Sequence, residues 1–191
     1  ELAASVVESD VEVDRMEVEI EEECLKMLAL YQPVAVDLRF ITAVIKLNSD
    51  LERIGDLAVN IAEHAAWLAV HEPLTVPAGI RNMSEIALRM LKSALDALVN
   101  MNTSLAAEIC AQDDTLDSLN REMFQDVEDR IRRDPDKVEA LIRILSISRH
   151  LERVGDHATN IAEDVVYMTQ GTIVRHRPAD LPDVKRSSAP Q

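Results

Sequence analysis

Carboxylates spaced four residues apart recur in four places along this 191-residue chain: Asp10–Asp14, Glu52–Asp56, Asp113–Asp117 and Glu152–Asp156. On a helix, positions i and i+4 lie one above the other on the same face. Like charges so stacked repel, and an ordinary solvated face alternates sign to gain attraction. Carboxylates that converge across a helix pair repel unless cations or protons compensate them. The chemistry this spacing suits is capture of a hard cation by oxygen ligands: Mg²⁺, Ca²⁺, Mn²⁺ or iron. No His or Cys joins these stripes at ligand spacing, which disfavours a structural zinc site.

Two of the four pairs sit inside a repeated string, LERIGDLAVNIAE (51–63) and LERVGDHATNIAE (151–163), identical at ten of thirteen positions. A fixed-period repeat marks two copies of one structural unit. At about 100° per residue, Glu52, Asp56, Asn60 and Glu63 fall within an arc of roughly 80°. Asn160 and Glu163 repeat the last two, so these four are additional candidates at the sites. Leu47, Ile54, Ile61 and Leu68 gather on the opposite side. A mid-helix glycine costs about 1 kcal/mol relative to alanine, so Gly55 and Gly155 at equal places predict close approach by a neighbouring helix.

The elements that must position these groups are helical throughout. Aromatic residues make up 3% of the chain and glycines number four, against 47% hydrophobic residues. That balance disfavours a strand-rich fold with tight turns. Residues 1–31 read as one helix with Asp10, Asp14, Glu17 and Glu21 on one face and an apolar seam of Val13, Met16, Ile20, Cys24 and Met27. Gln32-Pro33 ends it. A second helix runs over 34–71. Helices over 80–101, 104–133 and 136–170 follow, with Asp134-Pro135 read as N-cap and first helical residue. The expected units are therefore 1–72, a linker at 73–79, a three-helix unit at 80–171 and a loose tail at 172–191.

The second unit has three helices and the first only two, so the expectation is an all-α fold of tandem three-helix bundles whose first helix lies before Glu1. Without it, the seam Ile54–Ile61–Leu68 and the ridge at Gly55 would need cover from another chain or from preceding residues. Glu17 and Glu21 correspond to Asn120 and Phe124, so charge count alone predicts tighter cation binding in the first unit.

The net charge of −15 argues against nucleic acid or an anionic membrane as partner. It is uneven: residues 1–72 hold 16 acids and 5 bases, net −11, which leaves −4 for the rest. No apolar run approaches the roughly 18 residues of a membrane span. Cys24 and Cys110 form no CxxC pair and read as core residues. His64, His71, His150, His157 and His176 show no i,i+4 pairing, and Trp67 and Tyr167 occupy equivalent places suited to packing. No phosphate loop or nucleophile elbow is present.

With its paired acidic motifs and the strings QPVAVDLR (32–39), LERIGD and LERVGD, the chain resembles the PhoU family of phosphate-transport accessory and regulatory proteins. The resemblance covers nearly all of the chain but the tail. It implies iron, zinc, magnesium or manganese on Asp10, Asp14, Glu52, Asp56, Asp113, Asp117, Glu152 and Asp156. It also implies a cytoplasmic protein, often a homodimer, without catalytic activity. Such proteins restrain phosphate uptake and the starvation response through the ATPase of the ABC phosphate transporter and its sensor histidine kinase. Two alternatives differ in class. A cytosolic PhoU-like portion of a sodium–phosphate cotransporter would show a membrane span before Glu1. A di-iron enzyme needs Glu-x-x-His on two helices, and no glutamate here has histidine three residues on.

Overall fold

The computed structural model describes residues 1–71 and 75–173. Its elements are α1 (Leu2–Tyr31), α2 (Val36–His71), α3 (Ala78–Asn100), α4 (Thr103–Arg133) and α5 (Val138–Gln170), with a 3₁₀ turn at Pro135–Lys137 before α5. The all-α expectation holds, and among the described residues there is no strand. Most of the expected tail, 174–191, the last residue of the first unit, 72, and residues 73–74 of the linker lie outside the described residues. No described helix is long and apolar enough to cross a membrane.

Local chemistry sets the boundaries. Gln32 closes α1 in the left-handed region at φ 47°, immediately before Pro33, which cannot continue a helix. Met101 ends α3 the same way at φ 50°. Asn102 then caps α4, its side-chain oxygen accepting from Ser104 N at 3.1 Å and Leu105 N at 3.2 Å. Gly171 ends α5 at φ 75°, a conformation that favours glycine.

Three boundary expectations are corrected. Helix α3 starts at Ala78, so the last two residues assigned to the linker are helical. Helix α2 starts at Val36, because Ala35 at φ 52° cannot belong to a right-handed helix. The Asp134 side chain makes no capping hydrogen bond, while its backbone N–H donates to Arg130 O at the end of α4. Its carboxylate pairs with Lys137 at 3.1 Å, and Pro135 opens the 3₁₀ turn.

Contacts between helices give the topology. Asp10 meets Gly55 while Glu17 accepts from Asn48, so α1 and α2 are antiparallel. Asp113 meets Gly155 and Asn120 meets Ser148, so α4 and α5 repeat that arrangement. Met83 meets Ser148 and Met90 meets Gly155, so α3 runs alongside α5 in the same direction. The two units join through antiparallel α2 and α5: Lys46 with Asp164, Asp50 with His157, His64 with His150, and Trp67 with Arg143.

The core lies around α5, with Met83, Met90, Ile109, Leu116, Leu141, Ile144, Ile161 and Val165 fully buried. Helix α1 contributes one buried residue, Cys24. Met16, Ile20 and Met27 of its expected seam are exposed. Cys110 is half-buried against the core, and burial pushes its thiol up to about 12.

The apolar seam of α2 is placed differently from the sequence expectation. Ile54, Ile61 and Leu68 are half-buried and packed against the core, and α1 covers Gly55. The bare face is the one beside them, with Ala58, Ala65, Ala66 and Ala69 exposed along a groove of about 630 Å³ between α1 and α2. Of their equivalents on α5, Ala158, Val165 and Val166 are fully buried and Thr169 is exposed.

Candidate metal centres

Each acidic cluster is built by the same device. The signature glycine lets the partner helix approach, and that helix places its first carboxylate over the glycine. A Cβ on Gly55 would lie 2.8 Å from Asp10 Oδ1. A Cβ on Gly155 would strike Leu116 and lie 3.5 Å from Asp113 Oδ1. The repeated glycine therefore admits the partner helix at close range, against Asp10 in the first repeat and against Leu116, beside Asp113, in the second.

In the second repeat, Asp113, Asp117 and Asp156 offer oxygens that all lie within 4.8 Å of one another. Among the described residues this is the group of three acids, histidines or cysteines close enough to hold one ion. Asp113 Oδ1 is buried and lacks a hydrogen-bond partner. Burial, then the charges of Asp156, Asp117, Asp114 and Glu152, push the Asp113 carboxyl up to about 6. Glu152 is raised by burial and by Asp156 and Asp117, against Arg149 and Arg153. Asp156, the most exposed of the three, is raised by partial burial and by Asp117, with His157 and Arg153 opposing. An orphaned carboxylate oxygen among like charges is the environment a bound cation relieves. The residues present therefore fit a hard cation with oxygen ligands.

The first repeat is looser. Asp10, Glu17 and Glu52 are half-buried, while Asp14, Asp56 and Glu21 are exposed. Burial, then Asp14 and Asp56, raise the Asp10 carboxyl. Glu52 is raised by burial, by Asp56 and Glu17, and by a hydrogen bond to the Asp56 side chain, against Arg53. Glu21, one turn beyond Glu17, is not among the charges that act on Asp10 or Glu52. The carboxylates of this repeat form no three-ligand group within bonding reach of one point among the described residues. Charge count favours this repeat, and geometry favours the other.

The additional candidates divide. Asn60 donates to Asp56 O at 2.8 Å, which keeps it beside its stripe. Glu63 is exposed and acts on His64. Glu163 acts on Cys110 of α4, as Asp113 also does. Asn160 reaches across to α2, donating to Asp50 Oδ1 at 3.3 Å.

The sequence reading missed the polar joint between the units. His157 Nδ1 lies 2.7 Å from Asp50 Oδ1, with both side chains 12% exposed. Lys46 lies 3.9 Å from Asp164 and 5.3 Å over the Tyr167 ring. At the other end Arg143 lies 4.0 Å over Trp67, and His64 stacks on His150 with centroids 5.7 Å apart. Burial and neighbouring cations hold both of these histidines below the usual imidazole range. The expected packing role of Trp67 and Tyr167 is thus played at the unit boundary. His176 lies outside the described residues. The available signal was an exchange between copies: Asp50 stands where the second repeat has His150, and His157 where the first has Leu57.

Comparisons with known proteins agree with this architecture. The family model described as the PhoU domain matches residues 1–65 and 80–165. The chain is 40% identical over 177 residues to the phosphate-specific transport system accessory protein PhoU homolog of Aquifex aeolicus, covering 93% of this chain and 80% of that one. The homolog of the same description from Pseudomonas aeruginosa is 38% identical over 178 residues, covering 92% and 73%. Among solved structures, PhoU from Pseudomonas aeruginosa superposes with a TM-score of 0.86 at 37% identity, covering 90% of this chain and 82% of that one. The phosphate transport system regulatory protein PhoU from Streptococcus pneumoniae gives 0.81 at 29% identity, covering 90% and 81%.

Proposed function

The chain belongs to the PhoU family, and from that premise we propose that it is a metal-binding negative regulator of phosphate uptake and of the phosphate-starvation response. A part in the regulation of a phosphate transport system, without catalytic activity, is what the family supports. The metal is the finer reading, and one observation carries it: Asp113, Asp117 and Asp156 converge around a buried, unpartnered carboxylate oxygen. Iron, manganese, magnesium or zinc would be held there by these three with Glu152 beside them. In the first repeat Asp10, Glu52 and Asp56 would hold one, with Asp14 and Glu17 near. A bound cation neutralises mutually repelling carboxylates and ties α4 to α5 and α1 to α2.

Regulation would then act by occupancy of partners. The acidic first repeat, net −11 over residues 1–72, speeds encounter with basic surfaces in a manner that salt weakens. The partners are cytoplasmic: the ATPase of the ABC phosphate transporter and the phosphate-sensing histidine kinase, both held quiet when phosphate is plentiful. A homodimer fits the exposed alanine face of α2, whose counterparts Ala158, Val165 and Val166 on α5 are buried. Two measurements test the proposal. Elemental analysis of protein purified without added metal should find a divalent or trivalent ion, and loss of the gene should derepress starvation genes at high phosphate. Unchanged starvation-gene output in the deletion strain would refute the regulatory reading.

A further inference from the structure

We propose that Asp50, a residue of the first repeat, is a positioning residue of the second repeat's acidic site. This rests on the metal reading above. Asp50 sits on the face of α2 turned to α5, away from its own stripe of Glu52 and Asp56. Its Oδ1 accepts from His157 Nδ1 at 2.7 Å and from Asn160 Nδ2 at 3.3 Å. His157 directly follows Asp156, and Asn160 lies one helical turn beyond it, so one carboxylate oxygen pins the turn of α5 that carries Asp156. Asp156 is the exposed member of the three converging aspartates, and it is the one that most needs outside support to hold its place.

The support runs in one direction only. In the first repeat Leu57 stands at the place of His157 and is buried among apolar residues. Asn60, at the place of Asn160, bonds back to its own helix at Asp56 O. His150 stands at the place of Asp50, and its Nδ1 is buried without a partner. The second site thus has an anchor from the other repeat that the first site lacks. Outer partners that orient ligands change metal affinity by 10–100-fold when removed. They also make one site's affinity depend on residues of another structural unit.

The test is a Mn²⁺ titration of the full chain in two backgrounds. Glu52→Gln with Asp56→Asn leaves only the second site, and Asp117→Asn with Asp156→Asn leaves only the first. Asp50→Ala should weaken Mn²⁺ at the second site about tenfold or more and change the first by less than about twofold. Asp50→Asn keeps an acceptor oxygen and should show a smaller loss of the same sign. It carries the test if circular dichroism shows the alanine variant unfolded. An unchanged second site, or an equal loss at both, would overturn the inference while leaving the metal reading intact. Absence of Mn²⁺ binding in both backgrounds would overturn the metal reading, and this inference with it.

Discussion

The two repeats carry nearly the same signature helix and put it to unequal use. In the second, α5 is wrapped by α3, α4 and α2, and its acidic stripe closes into three oxygens within 4.8 Å. In the first, α2 meets α1 and α5 but keeps Ala58, Ala65, Ala66 and Ala69 exposed, and its stripe stays open. Charge is greater in the first repeat and preorganisation in the second. Carboxylate count and the closeness with which the acids gather are therefore separate properties. Burial that holds like charges together creates the need a cation meets, and an exposed stripe spreads its repulsion into water.

The largest expected contrast is in binding. Asp156→Ala should lower Mn²⁺ affinity at the second site by ~100-fold or more, the upper end of what loss of an outer partner causes. Asp56→Ala should have a smaller effect at the first site, where no three oxygens are preset. Titrations of the two single-site backgrounds compare them directly, and equal losses would remove the distinction.

Next in size is the effect of filling the glycine seats. Gly155→Ala would drive a methyl against Leu116, with Met90 Cε 3.5 Å away, an overpacking that costs about 1–3 kcal/mol. Gly55→Ala meets the Asp10 carboxylate at 2.8 Å and Val13 at 3.4 Å. The Asp10 side chain can turn aside, and alanine gains about 1 kcal/mol of helix propensity. Urea unfolding should therefore show Gly155→Ala destabilised and Gly55→Ala near neutral.

A third contrast is in pH. The folded-state pKa of Asp113, about 6, lies above its ordinary 3.8. The folded chain therefore binds more protons than the unfolded one between those values, and metal-free stability should fall as pH rises through that window. Asp113→Asn should flatten this slope and raise the metal-free melting temperature at pH 7. Metal affinity should run the opposite way, rising with pH as the carboxylate ionises. A melting temperature that climbs from pH 4 to 6 without metal would contradict the assignment.

Much of this was legible in the sequence, for reasons that particular residues make clear. Ten shared residues across the signature announced the two units, and i,i+4 carboxylates placed the stripes on helices. Proline at 33 and glycine at 171 gave helix ends to within two residues. Which stripe gathers its oxygens around one point was not legible, because that depends on which helix covers which face. Glu17 and Glu21 add charge to the first stripe, but Glu21 is not among the charges that act on Asp10 or Glu52. Asp50 was also hidden. Its partners lie 107 and 110 residues away, and only the antiparallel docking of α2 on α5 brings them together.

The smallest expected effect is in local motion. With one buried residue and an exposed seam, α1 should exchange its amide hydrogens faster than α4, which contributes six buried residues. Added metal should narrow that gap by tying α1 to α2.

Three preset oxygens in the second repeat should make its site fill first. Substoichiometric Mn²⁺ added to the isotope-labelled, metal-free chain tests it most directly, because paramagnetic broadening marks the residues nearest the ion. Amide signals around Asp113, Asp117 and Asp156 should vanish before those around Asp10, Glu52 and Asp56. Broadening that begins in the first repeat, or in both together, would contradict it.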